Sequence, residues 1–486
     1  MLSKRRLADD QQIPNGIMVK QTPNKRVIEI KPAIDPNAKV YPRSISGLFQ
    51  NWRIAFVWLT QAIFYGLCWL PWNDRQAVLF DLDKRRFYLF DFVFWPQDTI
   101  YLTILLLLSA LALFMFTAVA GRLWCGYACP QTVYTEIFLW IEKLIEGDRP
   151  QRMKLDAAPW SPHKAGKKTL KHGLWLLISL WTGLTFVGYF TPMRELLASI
   201  GGGTIGAWEI FWVLFYGLAT YGMAGFLREH MCKYICPYAQ FQFVMFDRDT
   251  LIIAYDQERG DPRGSRPKKM ADHRAAGLGD CIDCGICVQV CPTGIDIRDG
   301  LQLECIGCAA CVDACDQVMD KMNYPRGLIR YSTENAVQQH FTRAQIIRRA
   351  FRSRTLVYLT AFLVLSGGAA WSLATKVPFK VAVIKDRAAL YHESNDGGIE
   401  NTFQIQLTNA SEQQRSYRVD VSGIDGLRVG DDNRVTVPGA AIGNLTLTAR
   451  VEPGSLPAGP HPITLRISDE SEPERVVVEK SKFWMP

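Results

Sequence analysis

Two six-residue stretches, "CGYACP" (125 to 130) and "CKYICP" (232 to 237), each set a pair of thiols and a proline at the end of a long apolar run. A third stretch, from Cys281 to Cys315, reads C-x2-C-x2-C-x3-C-P and then C-x2-C-x2-C-x3-C. Soft thiolates are ligands for Cu(I), zinc and iron–sulfur clusters, and paired thiols also cycle through a disulfide. A lone Cys in apolar surroundings is by contrast a small packing residue. That is the simplest account of Cys68, and it stands as the bland alternative for the paired thiols. The exact repeat of a six-residue pattern argues against it there.

The 281–315 stretch is the most specific of the three. A cubane needs a thiolate at each iron corner, and a tight loop with two-residue gaps supplies three of them. In two-cluster bacterial ferredoxins the last Cys of each run ligates the other cluster. That pattern assigns Cys281, Cys284, Cys287 and Cys315 to one [4Fe–4S] cluster, and Cys305, Cys308, Cys311 and Cys291 to the second. Gly285, Gly307 and Ala309 are small enough for the backbone to pack closely and turn N–H groups toward the sulfides. Paired C-x2-C also suits tetrahedral zinc, but zinc does not explain two triplets at two-residue intervals, each with a trailing fourth Cys. The second run departs from the first in having Asp316 where Pro292 stands. Two adjacent cubanes make a one-electron relay, not by themselves an active site.

At the paired thiols, helical geometry would bring Cys125 and Cys129 onto one face, about 5–6 Å apart at Cβ. Pro130 disfavours a helix at Cys129 yet suits the first position of a new one. The following Val133, Ile137, Phe138, Ile141, Leu144 and Ile145 fall at helical spacing and predict an amphipathic helix along the membrane surface. Pro237 leads into "YAQFQFVMF" in the same way. His230 and Met231 adjoin Cys232 as possible extra ligands, although the first copy has Leu123 and Trp124 there. His163 and His172 lie among lysines, as interfacial residues do.

Five apolar blocks have to carry these motifs: 54–72, 99–120, 173–190, 207–227 and 355–375. Each approaches the roughly 20 residues a membrane-crossing helix needs. Glu209 is the sole carboxylate in them and lies near an end. The expectation is five spans, with both paired-thiol motifs emerging on one side. The first 50 residues are basic and lack the short apolar core of a cleavable signal. Lys and Arg crowd this tail and the 121–171 segment, whereas 191–206 holds only Arg194, which places the tail, 121–171 and 228–354 in the cytoplasm. Much of the formal charge of +8 then reflects topology, and nucleic-acid binding is not implied. Of the 13 cysteines, all but Cys68 fall in these segments or at their edge, where reducing conditions favour metal or redox chemistry. After the fifth block, alternating segments such as "NTFQIQLTNA" and "NLTLTARVEPG" predict a β-sandwich, without any catalytic constellation.

This assembly resembles the cytochrome c oxidase accessory proteins called CcoG, FixG or RdxA, which are membrane-bound polyferredoxins. The resemblance covers the polar N-terminus, five spans, two C-x-x-x-C-P motifs, the eight-Cys segment and the terminal sandwich. The membrane motif also occurs in NapH- and NosR-like ferredoxins, so the combination is more specific than any part. The expected organisation is a cytoplasmic tail (1–50), a four-span core (51–255), a linker and two-cluster ferredoxin module (256–354, clusters at 281–315), a fifth span (355–375) and a periplasmic immunoglobulin-like sandwich (376–486). The family resemblance implies reduction of Cu(II) to Cu(I) for assembly of a cbb3-type oxidase in a bacterial inner membrane. Cys125, Cys129, Cys232 and Cys236 become copper-handling or redox thiols, and the eight ferredoxin cysteines hold two [4Fe–4S] clusters. The implied partners are the bilayer, oxidase assembly factors or a copper transporter or chaperone, and an electron donor for which no nucleotide or flavin fingerprint is evident. A quinone-linked electron carrier and a non-catalytic assembly scaffold stay open as alternatives.

Overall fold

The computed structural model describes residues 39–267, 273–385, 390–394, 397–430 and 432–486. Most of the basic N-terminal tail, up to residue 38, and residues 268–272 of the expected linker lie outside that set. The chain divides into two compact units.

The first unit draws, among the described residues, on 39–66, 109–187 and 205–362. Among the described residues, four helices of the whole chain are long and apolar enough to cross a membrane: Pro96–Ala120, Pro162–Val187, Ala207–Ile235 and Ser353–Ala374. The first apolar block instead starts earlier than its hydropathy suggests. It forms the helix Leu48–Leu67, whose opening turns carry Gln50, Asn51 and Arg53. Gln50 and Arg53 are buried because both bind Glu136, the Arg53 guanidinium at 2.8 Å.

That carboxylate belongs to the surface helix Pro130–Glu146, expected from Pro130 onward and found there. Cys129 is its extended N-cap (φ −62°, ψ 129°) and Pro130 its first residue, a position that needs no N–H donor. Val133 and Phe138 are buried as the periodicity requires, but Leu144 is 82 % exposed. The helix also buries a second stripe, Glu136, Glu142 and Glu146. Glu142 accepts from Arg152 at 2.8 Å and Arg228 at 2.7 Å, with Lys171 at 3.6 Å. Burial opposes its charge, yet Arg228 and then Lys171 and Arg152 hold its carboxyl below the usual 4.5.

The eight-Cys segment folds around a two-stranded antiparallel ribbon, Ile252–Tyr255 with Ile329–Ser332. The stretch expected to be a linker is tied into this module over its described residues. Arg259 donates to Asp280 at 2.5 Å, and the Gly279 N–H to the Pro262 carbonyl at 2.9 Å.

The second unit comprises 67–108, 188–204 and 363–486. Its sandwich has all-antiparallel pairings in two sheets. One runs in the order Arg428–Val429, Ile442–Val451, Ile399–Asn409, Phe379–Lys385, with His392–Glu393 also on Ile399–Asn409. The other runs Arg434–Val437, Arg415–Ser422, Gly459–Asp469, Val476–Met485. Alternation does what it predicts: Phe403, Ile405 and Leu407 from one sheet meet Tyr417, Val419, Leu465 and Ile467 from the other in one buried core. A three-stranded sheet over 78–94 was not anticipated. Its Leu79, Tyr88 and Val93 pack with Trp95 and Ala440, and Arg75 bonds Glu412.

Candidate metal centre

The two ferredoxin loops have the same backbone design. In each, the residues on either side of the second Cys are left-handed: Asp283 (φ 53°) and Gly285 (φ 63°), then Gly307 (φ 68°) and Ala309 (φ 57°). Each left-handed pair curls the loop so that its thiols face inward, and Gly285 and Ala309 then cap the helices Ile286–Gln289 and Ala310–Met322. Non-glycine residues pay strain in this region of about 1 kcal/mol or more. Asp283 and Ala309 therefore mark places where the fold overrides local preference.

Two cavities result. One is lined by Cys281, Cys284, Cys287 and Cys315 with Ile282, Ile286, Met319 and Leu328. The other is lined by Cys291, Cys305, Cys308 and Cys311, with Cys287 on its border and Ile253, Ile295 and Ile306 around them. Each cavity thus takes three thiols from one loop and a fourth from the other run. Among the described residues, no three Cys, His, Asp or Glu side chains converge closely enough for a single metal ion. A zinc site would need sulfurs about 3.8 Å apart, from Zn–S bonds of about 2.3 Å. Thiols spread around an apolar cavity fit a larger inorganic core instead. Burial pushes Cys287, Cys305 and Cys315 up to about 12 and Cys311 well above the ordinary value. Thiols so costly to ionise become thiolates when a metal centre supplies the compensating charge.

The two membrane-edge pairs come together beside this module. Cys125 lies in the short helix Leu123–Tyr127, in electrostatic range of Cys129 and Cys232, and Cys129 is in range of Cys236. The second copy follows the first in outline: Cys236 is an extended N-cap (φ −74°, ψ 109°) before Pro237. Its Cys232 sits on a wide π-type turn, Met231–Ile235, where the first copy has an α-turn. Cys125 and Cys232 pack against Ile306, Cys308 and Ala310 of the second ferredoxin loop. The Cys125 thiol donates to Gln242 Oε1 at 3.2 Å, and burial pushes it up to about 12, with Cys129 adding to the rise. His230 stacks on Tyr234, and His172 bonds the Tyr221 hydroxyl at 2.9 Å. Cys68 is buried, as a packing residue should be.

Two residues that sequence reasoning passed over make this docking possible. A Cβ on Gly126 would come within 2.8 Å of Cys308 Cα and 2.9 Å of its amide nitrogen, so only glycine lets the backbones approach. Arg122, 5 % exposed, donates to the carbonyls of Leu303 and Ala239 and lies in electrostatic range of Cys125, Cys232, Cys236 and Cys305. Their place within and just before the first C-x-x-x-C motif was the available signal, but it marks no chemistry by itself.

Buried thiol cavities beside membrane-crossing helices define an iron–sulfur electron-transfer protein of the membrane. Comparison with known families agrees: 227–334 match a 4Fe-4S dicluster domain, 102–147 a 4Fe-4S binding domain, and 369–486 the immunoglobulin-like fold at the C-terminus of FixG. The chain is 38% identical to Protein RdxA of Cereibacter sphaeroides, over 91% of this chain and 96% of that one. It is 39% identical to Protein RdxB of the same organism (85% and 88% covered) and 35% identical to the nitrogen fixation protein FixG of Rhizobium meliloti (84% and 84%). The chain belongs to the RdxA/FixG family.

Proposed function

We propose that the chain reduces Cu(II) to Cu(I) at the membrane-edge thiols, with electrons relayed through two [4Fe–4S] clusters, in the service of cbb3-type oxidase assembly. Cys281, Cys284, Cys287 and Cys315 would hold one cluster and Cys291, Cys305, Cys308 and Cys311 the other. When bound, each cluster supplies a one-electron store. The observation that carries this reading is the packing of Cys125 and Cys232 against the second loop, with Gly126 in contact with the Cys308 backbone. Each Cu(II) takes one electron, and a pair of soft thiolates favours the Cu(I) product. Arg122 holds the second loop against both motifs and offsets part of the thiolates' charge. In this reading Leu48–Leu67 is a fifth crossing, the ferredoxin module is cytoplasmic and the sandwich is periplasmic, in a bacterial inner membrane.

The test is anaerobic Cu(II) reduction by protein with pre-reduced clusters, comparing wild type with the Cys125/Cys129/Cys232/Cys236 quadruple Ser variant. The expected result is Cu(I) from wild type only, with the cluster spectrum unchanged in the variant. Equal reduction by both would remove the thiols from the mechanism. Re-reduction of the clusters by quinol without response to Cu(II) would favour a quinone-linked carrier.

A further inference from the structure

A third cavity in the first unit, of about 150 Å³, holds no cysteine. Its walls come from the N-terminal strap (Arg43, Ile45), the Leu48–Leu67 helix (Arg53, Ile54), the Pro130–Glu146 helix (Glu136, Trp140, Lys143) and the ferredoxin module (Val290, Pro292). Asp148 and Arg152 complete the charged lining. Four cations therefore face two carboxylates, a surplus of two positive charges (4 − 2). Both carboxylates are already engaged. Glu136 binds Arg53 and Gln50, and Asp148 accepts the Ser44 N–H at 3.1 Å.

The cations are less well satisfied. Arg152 is 4 % exposed; it donates to Glu142 and to the Pro42 carbonyl, but its buried Nε has no acceptor among the described residues. A buried donor without a partner is costly, by about 1–3 kcal/mol, and points to a ligand. The side chains of Arg43 and Lys143 have no hydrogen-bond or ion-pair partner among the described residues either. Ile45, Ile54, Trp140 and Val290 make the remaining wall apolar.

We infer that this cavity binds a phosphate-ester anion attached to an apolar body, and that its occupant is an anionic phospholipid headgroup. The surrounding structure favours a lipid: the Pro130–Glu146 helix follows the Pro96–Ala120 span with only the short helix Leu123–Tyr127 between them, and Trp140 on it is a residue type enriched where bilayer meets water. Headgroup phosphate accepts from Arg152 and balances Arg43 and Lys143, while the glycerol and upper acyl carbons lie on Ile54 and Trp140. Val290 and Pro292 flank Cys291, so the same headgroup braces the turn that delivers that thiol.

The test uses the full chain in nanodiscs of phosphatidylcholine, with short-chain phosphatidylglycerol as probe and short-chain phosphatidylcholine and inorganic phosphate as the other arms. The variant is the double Arg43→Gln/Lys143→Gln, which removes two solvent-facing charges and breaks no internal bond; its iron–sulfur absorbance checks the fold. Wild type is expected to bind phosphatidylglycerol over phosphatidylcholine, and the variant to lose at least about tenfold in that affinity. Inorganic phosphate competing at similar concentration would make the source a soluble phosphate and overturn the lipid assignment. Equal binding by variant and wild type, or no preference for the anionic lipid, would overturn the site itself.

Discussion

The ferredoxin loops and the membrane-edge motifs both present thiols, but they are built on different terms. Each loop fixes its own thiols through a repeated pair of left-handed residues, 283/285 and 307/309, and closes its cavity with a thiol from the other run. The membrane-edge pairs have no such internal frame. Cys129 and Cys236 are ordinary helix N-caps, and what brings the pairs together is contact with the second loop through Gly126, Arg122 and Cys308. A self-framed site is preorganised; a docked one is as good as its docking surface.

The largest effect expected from breaking this contrast is at the loops. Cys311→Ser should cost one whole cluster, halving bound iron, and abolish copper reduction; iron analysis with electron paramagnetic resonance of the reduced protein would show it. An unchanged iron content would mean that the Cys291 cavity is not a cluster site.

Removing the support beneath the first motif comes next. Glu142→Ala leaves Arg152, Arg228 and Lys171 facing one another, at a cost of about 3–5 kcal/mol. Thermal unfolding in detergent should register it as a clear loss of Tm. The same carboxylate sets a pH limit. Its folded value lies below the ordinary 4.5, so the stability it contributes is complete above that value and falls away as pH drops further. Its contribution should be flat from pH 6 to pH 8, about two pH units above the carboxylate range. On acidification wild type should lose more Tm than a Glu142→Gln variant, whose remaining loss comes from other carboxylates held low, such as Asp156 and Asp280.

A sharper probe of docking is Gly126→Val. The added side chain meets the Cys308 backbone and must push the motif from the loop. Cluster content should survive while copper reduction drops at least about tenfold, since small displacements at a reacting centre are costly. Equal rates would show that the contact does not matter for transfer. Smallest of all is Gln242→Met, which removes the acceptor of the Cys125 thiol. It should cost about 1 kcal/mol and shift thiol reactivity toward an alkylating reagent by a few-fold at most.

Much of this was legible in the sequence because it is periodic. Cysteine spacing marks the loops, alternation marks the sandwich, and Pro130 and Pro237 mark the helix starts. The 48–67 helix was placed late because Gln50 and Arg53 look like surface residues until Glu136 is seen opposite them. The buried stripe Glu136, Glu142 and Glu146 was hidden for the same reason: a carboxylate reads as solvated until its cations, drawn from distant segments, are known. The 78–94 sheet is too short for periodicity to show, and Gly126 acquires meaning only from a backbone far along the chain.

Because Cys287 borders both cavities and each cavity has walls from both loops, the two compartments share a wall. Damage at Cys287, or a break in the chain between Cys291 and Cys305, touches both, whereas loss of a thiol that lines one cavity alone, such as Cys311, empties only that one. The module is wired in series: one emptied compartment stops the current even while its neighbour keeps its cluster.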